Sequence, residues 1–446
     1  MPIPRVMVVA GSDSGGGAGI QADLKAVAAL GGHAMTTITA LTAQNTLGVQ
    51  AVHPVPLDMV KAQFQSVSQD IGVDAIKTGM LHSAALVELV ADLVAGLGVP
   101  VVVDPVMVAK GGDRLLAEDA VTAVKQKLIP AASLVTPNLD EAEALLGVEV
   151  RDEKAMARAA KDLVAMGAKA ALVKGGHLED SPCDVLFDGT GLHVFKAQRI
   201  DTPHTHGTGC TLASACATLL ARGWELPAAV ERARLLVRRA IMGGLALGQG
   251  RGPVHALADL APRLALGECL ERVDQALNRL QAVEGLGDLA PEVRSQIGFA
   301  LPGAAGPEEV IAISGRITSI DGRLRAAGPA RAGASRHVAK IVLAAMNVDP
   351  QKRAAMALRF DEDLLARARS LGWKVAEFSR ADEPQEVKQK EGSTLEWGTS
   401  KAIQETGGVP DIVFDRGEVG KEPVIRLIAR DPEELVQGVL ALAGKE

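Results

Sequence analysis

Val6-Met-Val-Val-Ala10, then Gly11-Ser-Asp-Ser-Gly15-Gly-Gly-Ala-Gly19, then Ile20–Leu30 reads as a strand, a glycine loop and a helix. Glycines let a backbone turn sharply and let a ligand approach it closely. The apolar run is continuous rather than alternating, as a strand covered on both faces requires. Similar runs recur at Ala75–Lys77, Val101–Asp104, Leu134–Thr136 and Ala171–Lys174. Helical patterns lie between them, at Ala84–Ala95, Ala117–Lys127, Glu141–Leu146 and Ala155–Met166. This rhythm over residues 1–258 predicts an α/β sandwich about a mostly parallel central sheet. Ligands of such folds sit at the carboxyl ends of the strands.

A chain of 446 residues exceeds one ordinary core, so two or three domains are expected. The pattern changes near Gly250-Arg-Gly-Pro253, and residues 268–446 read as a second, smaller α/β unit. Helix is expected over 259–290 with a break at Gly285-Leu-Gly287, and strand at Val310–Ser314. A glycine- and arginine-rich loop, Arg316–Ala334, leads to helices at Ser335–Met346 and Asp361–Leu371. Strands follow at Lys374–Phe378, Asp411–Phe414 and Val424–Ala429, then a helix Pro432–Leu442 capped by Asp431.

The net charge of −7 argues against a general nucleic-acid or membrane surface. Tyrosine is absent and aromatics are 2% of residues, which removes stacking platforms for single strands. No apolar run is long enough to span a bilayer and the N-terminus lacks a signal pattern, so a cytoplasmic protein is expected. Cys183, Cys210, Cys216 and Cys269 form no CxxC pair, which speaks against zinc and for reduced thiols. Assembly as a homodimer or a larger homo-oligomer is expected.

Asp201-Thr-Pro-His-Thr-His-Gly-Thr-Gly-Cys210 runs into Thr211-Leu-Ala-Ser-Ala215 as a loop that becomes a helix. Gly207, Thr208, Gly209 and Cys210 would aim free backbone N–H groups and the positive end of the helix dipole at one point. That is an anion site, suited to a transferring phosphoryl group. Cys210 at its end is placed to act on the attacking hydroxyl. A thiol at a helix N-terminus has a lowered pKa and can serve as a base; alternatively it only packs against the substrate. His204 and His206 read as hydrogen-bonded structural groups, and Cys183 and Cys216 take no catalytic role.

Gly17-Ala-Gly19-Ile-Gln-Ala22 fits a permissive dinucleotide fingerprint. Against it, Thr42-Ala-Gln-Asn45 stands where an acidic ribose contact belongs, and Asp23 lies where a pyrophosphate would sit. No Walker P-loop occurs. Asp104, before Pro105, and Asn138 and Glu141, after Pro137, put three oxygen donors at neighbouring strand ends. They suit Mg²⁺ bridging nucleotide phosphates. Asn138 and Glu141 equally fit a capping box at a helix start. Lys77 and Lys174 end strands and can reach phosphates, unless they snorkel to the surface.

The segments Gly11–Lys25, Ile38-Thr-Ala-Leu-Thr-Ala-Gln-Asn-Thr46, Ile76-Lys-Thr-Gly-Met-Leu81, Val103-Asp-Pro-Val-Met107, Thr136-Pro-Asn-Leu-Asp-Glu-Ala142, Val173-Lys-Gly-Gly-His177 and Thr205-His-Gly-Thr-Gly-Cys-Thr211 occur in this order. Over residues 3–255 the chain resembles the hydroxymethylpyrimidine/phosphomethylpyrimidine kinases of the ribokinase-like superfamily. The resemblance implies two successive ATP-dependent phosphorylations in thiamine synthesis. It implies that Asp23 and Gln44 bond the pyrimidine, that Gly11, Met80 and Val106 line its pocket, and that Lys174 touches ATP phosphates. Asp104 and Glu141 would organise Mg²⁺, and Gly207–Cys210 would form the anion hole. A pyridoxal or pyridoxine kinase of the same superfamily is the rival reading.

In the second unit, Ser314-Gly-Arg316-Ile, Asp321-Gly-Arg-Leu-Arg325 and Gly333-Ala-Ser-Arg-His337 gather arginines near a helix start that Ser335 can cap. With Glu383-Pro-Gln-Glu-Val387, Glu391-Gly-Ser-Thr-Leu-Glu-Trp-Gly398 and Pro410-Asp-Ile-Val-Phe-Asp415 they resemble the ThiN domain. The resemblance implies thiamine phosphate synthase activity, in which the pyrimidine diphosphate condenses with thiazole phosphate and diphosphate leaves. Arg316 and His337 match that family's catalytic pair. Arg316 would stabilise the departing diphosphate, and His337 would bind a phosphate or donate a proton. The other reading is a ThiN-like module that senses thiamine phosphate without catalysis.

Overall fold

A computed structural model describes residues 2–107, 118–176, 182–385 and 394–445. Ala117, His177, the Glu386–Lys388 stretch and Glu391–Ser393 lie outside the described residues. The chain divides into two compact units, Met1–Asp259 and Leu260–Glu446.

The first unit is built on nine strands: β1 Arg5–Asp13, β2 His33–Asn45, β3 Gly48–Pro54, β4 Ala75–Thr78, β5 Val101–Val103, β6 Leu134–Val135, β7 Ala171–Gly175, β8 Cys183–Phe187 and β9 Leu192–Lys196. They lie in the order β3-β2-β1-β4-β5-β6-β7-β8-β9. The pairs from β2 across to β7 are parallel; β3, β8 and β9 are antiparallel additions at the two edges. Successive residues of each central strand enter opposite cores. Met7, Val9, Ile76, Val103, Val135 and Val173 pack with the helices Ala84–Ala95 and Glu153–Ala165. Val6, Ala75, Val102, Leu134 and Leu172 pack with Thr208–Ala221 and Leu226–Met242. This is why these strands read as continuous apolar runs. Among the remaining strands, β2 is Thr-rich and β9 alternates exposed and half-buried residues throughout.

The helix Thr208–Ala221 is buried on every side from Thr211 to Leu219. Its Ala, Ser, Cys and Thr side chains are small enough for close packing against the helix Gly19–Ala29 and the sheet. Because β1 and β4 to β7 run the same way, Lys77, Asp104, Asn138 and Lys174 all arrive at one edge of the sheet. The N-terminus of this helix comes to the same edge, beside Asp104 and Lys174.

The second unit holds a seven-stranded sheet with one parallel pair. Its strands are β10 Ile297–Ala300, β11 Val310–Ile313, β14 Ala330–Ala332, β15 Ala354–Arg359, β16 Val375–Glu377, β17 Ile412–Asp415 and β18 Val424–Ala429. They lie in the order β14-β11-β10-β15-β18-β17-β16, with β16 and β17 parallel. The stretch expected as a loop, Arg316–Ala334, is instead largely a hairpin of β12 Ile317–Ile320 and β13 Arg323–Ala326, followed by β14. The turn Ile320-Asp-Gly-Arg323 makes it: Asp321 and Gly322 both take positive φ, as a two-residue hairpin turn requires. The central strands β10 and β15 lacked a sequence expectation because their apolar runs are short. The helix Ala261–Ala282 ends before the glycine break. Asp431 caps the last helix, Pro432–Ala443, by accepting from Glu434 N. Ser335 stands at the N-cap of Arg336–Met346, but its side chain makes no capping bond. No described helix is long and apolar enough to cross a membrane.

Candidate active sites

A cavity of about 680 Å³ opens over the carboxyl edge of the first sheet. Its lining brings together Gly11, Gln44, Met80, Val106, Asp104, Asn138, Glu141, Lys174 and Gly207 to Cys210. Gly207 takes φ +87 at the N-cap, and a Cβ there would sit 1.9 Å from Gly17 O. Only glycine fits that corner, and it turns the chain so that the first N–H groups of the helix face the cavity uncapped by any side chain. A Cβ on Gly209 would come 3.3 Å from Lys174 Nζ and 3.5 Å from Asp104 Oδ2. The glycine therefore leaves the helix start open toward a lysine and a carboxylate.

Lys174 Nζ lies 3.0 Å from Asp104 Oδ1 and 3.9 Å from Glu141 Oε2. Burial alone would depress its pKa, but Asp104 and Glu141 outweigh it and hold the ammonium up. Two carboxylates face one ammonium here. Burial, aided by Asp104 and opposed by Lys174, pushes the Glu141 carboxyl up to about 7. Asn138 and Glu141 form a full capping box: Asn138 Oδ1 accepts from Glu141 N and Glu141 Oε2 accepts from Asn138 N, both at 2.8 Å. The cap thus occupies the Asn138 side-chain oxygen that the metal expectation wanted. The donor set that remains, Asp104 and Glu141 with excess negative charge, fits Mg²⁺ held jointly with nucleotide phosphates. Among the described residues no three His, Cys, Asp or Glu side chains gather as a self-sufficient metal cluster.

Two expectations are corrected. Asp23 does not line the cavity. It is fully buried, paired with Lys77 at 2.9 Å and accepting from Ser214 Oγ at 2.7 Å. Lys77 is equally buried and so is no surface lysine; Asp23 and Asp104 hold its ammonium charged against the effect of burial. The Cys210 thiol is not depressed by its helix. Burial, with Asp23 and Asp104 nearby, pushes it up to about 11, against Lys77 and the Gly19 N–H that bonds its sulfur. The helix-terminus argument treated the dipole alone; burial of the thiol, with the carboxylates adding to it, outweighs that effect.

Asp13 carried no expected role from the sequence. Its carboxylate accepts from Gly15, Gly17 and Ala18 N at 2.8, 3.0 and 2.8 Å, folding the glycine loop around itself. Its spacing as Asp-x-Gly-x-Gly-Ala was the available signal. Burial would raise its pKa, but His206 and the bonds from Ala18 and Gly15 hold it below the usual carboxylate range.

In the second unit a cavity of about 490 Å³ is lined by Arg294, Arg316, Arg336 and His337, with Glu292 and Gln296. Arg316 and His337, 21 positions apart in sequence, reach it from the β11–β12 turn and from the first turn of the helix Arg336–Met346. Arg294 and Arg316 hold φ of 68° and 73°, two of the three positive φ values outside glycine among the described residues. Such conformations persist where the surroundings fix them, often at sites. Arg316 donates to Val293 O at 2.5 Å, which ties the two turns together. Arg336 belongs to the arginines that the sequence gathered near this helix start, whereas Arg294 carried no sequence expectation.

Residues 13–255 match the family model of phosphomethylpyrimidine kinase. The chain belongs to the phosphomethylpyrimidine kinase family. Residues 272–441 match the model of thiamine-phosphate synthase ThiN. The hydroxymethylpyrimidine/phosphomethylpyrimidine kinase of Streptomyces coelicolor is 55% identical over 251 residues, covering 56% of this chain and 93% of that protein. The thiamine biosynthesis bifunctional protein ThiED of Geobacter sulfurreducens is 52% identical over 262 residues, 58% of this chain and 54% of its own length. Among solved structures, an ADP complex of Bacillus subtilis pyridoxal kinase is similar, with a TM-score of 0.55 and 39% identity over 58% of this chain and 98% of that one. The mixed α/β architecture with its mostly parallel sheet is that of the ribokinase-like kinases.

Proposed function

We propose that residues 1–258 transfer phosphate from ATP to the hydroxymethyl group of 4-amino-5-hydroxymethyl-2-methylpyrimidine and then to the monophosphate, making the diphosphate. Residues 268–446 then join this diphosphate to 4-methyl-5-(2-phosphoethyl)thiazole, giving thiamine phosphate and releasing diphosphate. The observation that carries the reading is the single cavity in which the Gly207–Cys210 turn and Lys174 face a wall of Gly11, Gln44, Met80 and Val106. One side of it suits a phosphoryl group and the other a small flat heterocycle.

In the first step the hydroxymethyl oxygen bonds to the γ-phosphorus as the bond to ADP breaks. Charge spreads over the equatorial oxygens, and fixed donors aimed at them supply most of the catalysis. The N–H groups of Thr208, Gly209 and Cys210, with Lys174, fill that role. Mg²⁺, when bound, neutralises phosphate charge, and Asp104 and Glu141 are the residues that would hold it. A thiol pushed up to about 11 keeps its proton at neutral pH. Cys210 therefore orients the hydroxymethyl group by hydrogen bonding, and the hydroxyl proton passes late to an oxygen of the transferred phosphoryl group, as a loose transition state permits. Asp23 acts from behind the cavity, through Lys77. In the second unit Arg316 stabilises the leaving diphosphate, and His337 contacts a phosphate.

Incubation of the purified protein with hydroxymethylpyrimidine, ATP and Mg²⁺ tests the kinase half. Successive mono- and diphosphate products are expected. A kcat/KM for pyridoxal above that for the pyrimidine would favour the rival reading, to which the solved pyridoxal kinase lends weight. Tight binding of thiamine phosphate without its synthesis would favour a sensing role for residues 268–446.

A further inference from the structure

His206 is clamped more firmly than its place in a loop requires. Its N–H donates to Gly252 O at 3.2 Å and its carbonyl accepts from Val254 N at 3.0 Å. Its ring covers Gly17 so closely that a Cβ there would lie 2.4 Å from Cδ2. Nε2 then stands 3.2 Å from Asp13 Oδ2 and 3.3 Å from Gln44 Nε2.

One ring nitrogen cannot donate to Asp13 and also accept from an amide N–H. Asp13 Oδ2 already accepts from Gly17 and Ala18, and the group is held ionised. Nε2 must therefore carry the proton. A second conflict lies on the other side of Gln44. The single Thr42 hydroxyl proton goes to Ser12 O at 2.9 Å, which leaves Thr42 Oγ1 facing Gln44 Oε1, 3.3 Å away, without a proton between them. Turning the Gln44 carboxamide over removes both conflicts at once. Oε1 then shares the one His206 Nε2–H with Asp13 Oδ2 in a bifurcated bond, and Gln44 Nε2 donates to Thr42 Oγ1. Amide oxygen and nitrogen are assigned from such networks.

We infer that His206 is a positioning residue for the pyrimidine: tied to Asp13 of the glycine loop, it fixes which end of the Gln44 carboxamide accepts and which donates. Gln44 lines the cavity, so this order is what an aminopyrimidine edge, with its ring nitrogen acceptor and amino donor, meets. The inference rests on the kinase reading above.

The test is a double-mutant cycle in the full chain, with KM measured separately for hydroxymethylpyrimidine and for ATP. His206→Ala is expected to raise KM for the pyrimidine by about 5- to 20-fold, the size of one or two lost hydrogen bonds, and to change KM for ATP by less than about twofold. His206→Gln, which restores an N–H near the Nε2 position, should recover most of this. His206→Ala should add nothing to Gln44→Ala in the double variant. Additive losses, or equal rises in both KM values, would overturn the inference. Should His206→Ala fail to fold, His206→Phe keeps the ring over Gly17 without the N–H and must show the same selective KM rise. No turnover of the pyrimidine by the parent protein sinks the kinase reading itself, a separate outcome.

Discussion

Lys77 Nζ lies 2.9 Å from Asp23 Oδ1, and neither side chain has any exposed surface. The pair joins β4 to the helix Gly19–Ala29, and Ser214 bonds the same carboxylate from the helix Thr208–Ala221. Three elements that carry the cavity are thus held by one buried charge pair.

Breaking one partner leaves a buried charge uncompensated. Lys77→Met should destabilise the first unit by about 3–5 kcal/mol, whereas Lys77→Met with Asp23→Leu should recover a large part of that loss. Denaturant unfolding followed by a probe of this unit measures it. A single variant as stable as the parent would mean that the pair is not buried as described.

Cys210, with its thiol pushed up to about 11, stays protonated across the ordinary assay range. A thiolate base of that pKa would make the rate rise tenfold per pH unit between pH 7 and 9; because Cys210 only orients the hydroxymethyl group, no such rise is expected. Cys210→Ala should slow phosphorylation of the hydroxymethyl group by less than about 100-fold, the lower end of general-base effects. It should slow phosphorylation of the monophosphate less, because that acceptor oxygen is already ionised. Equal losses in the two steps would contradict the assigned contact.

Glu141 supplies a pH-dependent term in stability. Its carboxyl, ordinarily near 4.5, is pushed up to about 7 in the fold. The native protein holds a proton there that the unfolded chain has released. Stability from this group falls as pH rises from about 4.5 to 7 and levels off above. Glu141→Gln keeps an acceptor for Asn138 N and removes the charge. It should stabilise the protein by about 1–3 kcal/mol at pH 8 and by almost nothing at pH 4.5. The same change should raise the Mg²⁺ concentration needed for half-maximal kinase rate. Destabilisation at pH 8 would show that the Lys174 attraction outweighs burial.

Arg316 and His337 should act in one half of the chemistry alone. Arg316→Ala should cut thiamine phosphate formation by about 100- to 1000-fold while pyrimidine phosphorylation continues. Arg316→Lys should rescue little, because an ammonium cannot match the planar fork on a diphosphate. Unchanged synthesis in Arg316→Ala would remove this residue from the site.

How much was legible follows the physics of each element. Val6–Ala10, Ala75–Lys77, Val101–Asp104, Leu134–Thr136 and Ala171–Lys174 were readable because a strand covered on both faces must be apolar throughout. The edge strands β3 and β9 were not, since their exposed residues dilute that signal. The Arg316–Ala334 stretch looked like a loop because glycine and arginine dominate it, yet Asp321-Gly322 is a hairpin turn. At the site, glycines with positive φ and residues at strand ends could be placed from the sequence, as Gly207 and Lys174 show. Asp23 and Cys210 could not, because their surroundings depend on which charges the fold brings near them. His206 read only as a hydrogen-bonded structural group, and its partners could not be named because Asp13 and Gln44 are 193 and 162 residues away.

The most direct measurement follows one sample of the intact protein supplied with hydroxymethylpyrimidine, ATP, Mg²⁺ and thiazole phosphate. The account predicts that the pyrimidine monophosphate, the diphosphate and then thiamine phosphate appear in that order. The Arg316→Ala protein should stop at the diphosphate. Thiamine phosphate that fails to form from added pyrimidine diphosphate and thiazole phosphate, or a pyrimidine that is never phosphorylated, would contradict it.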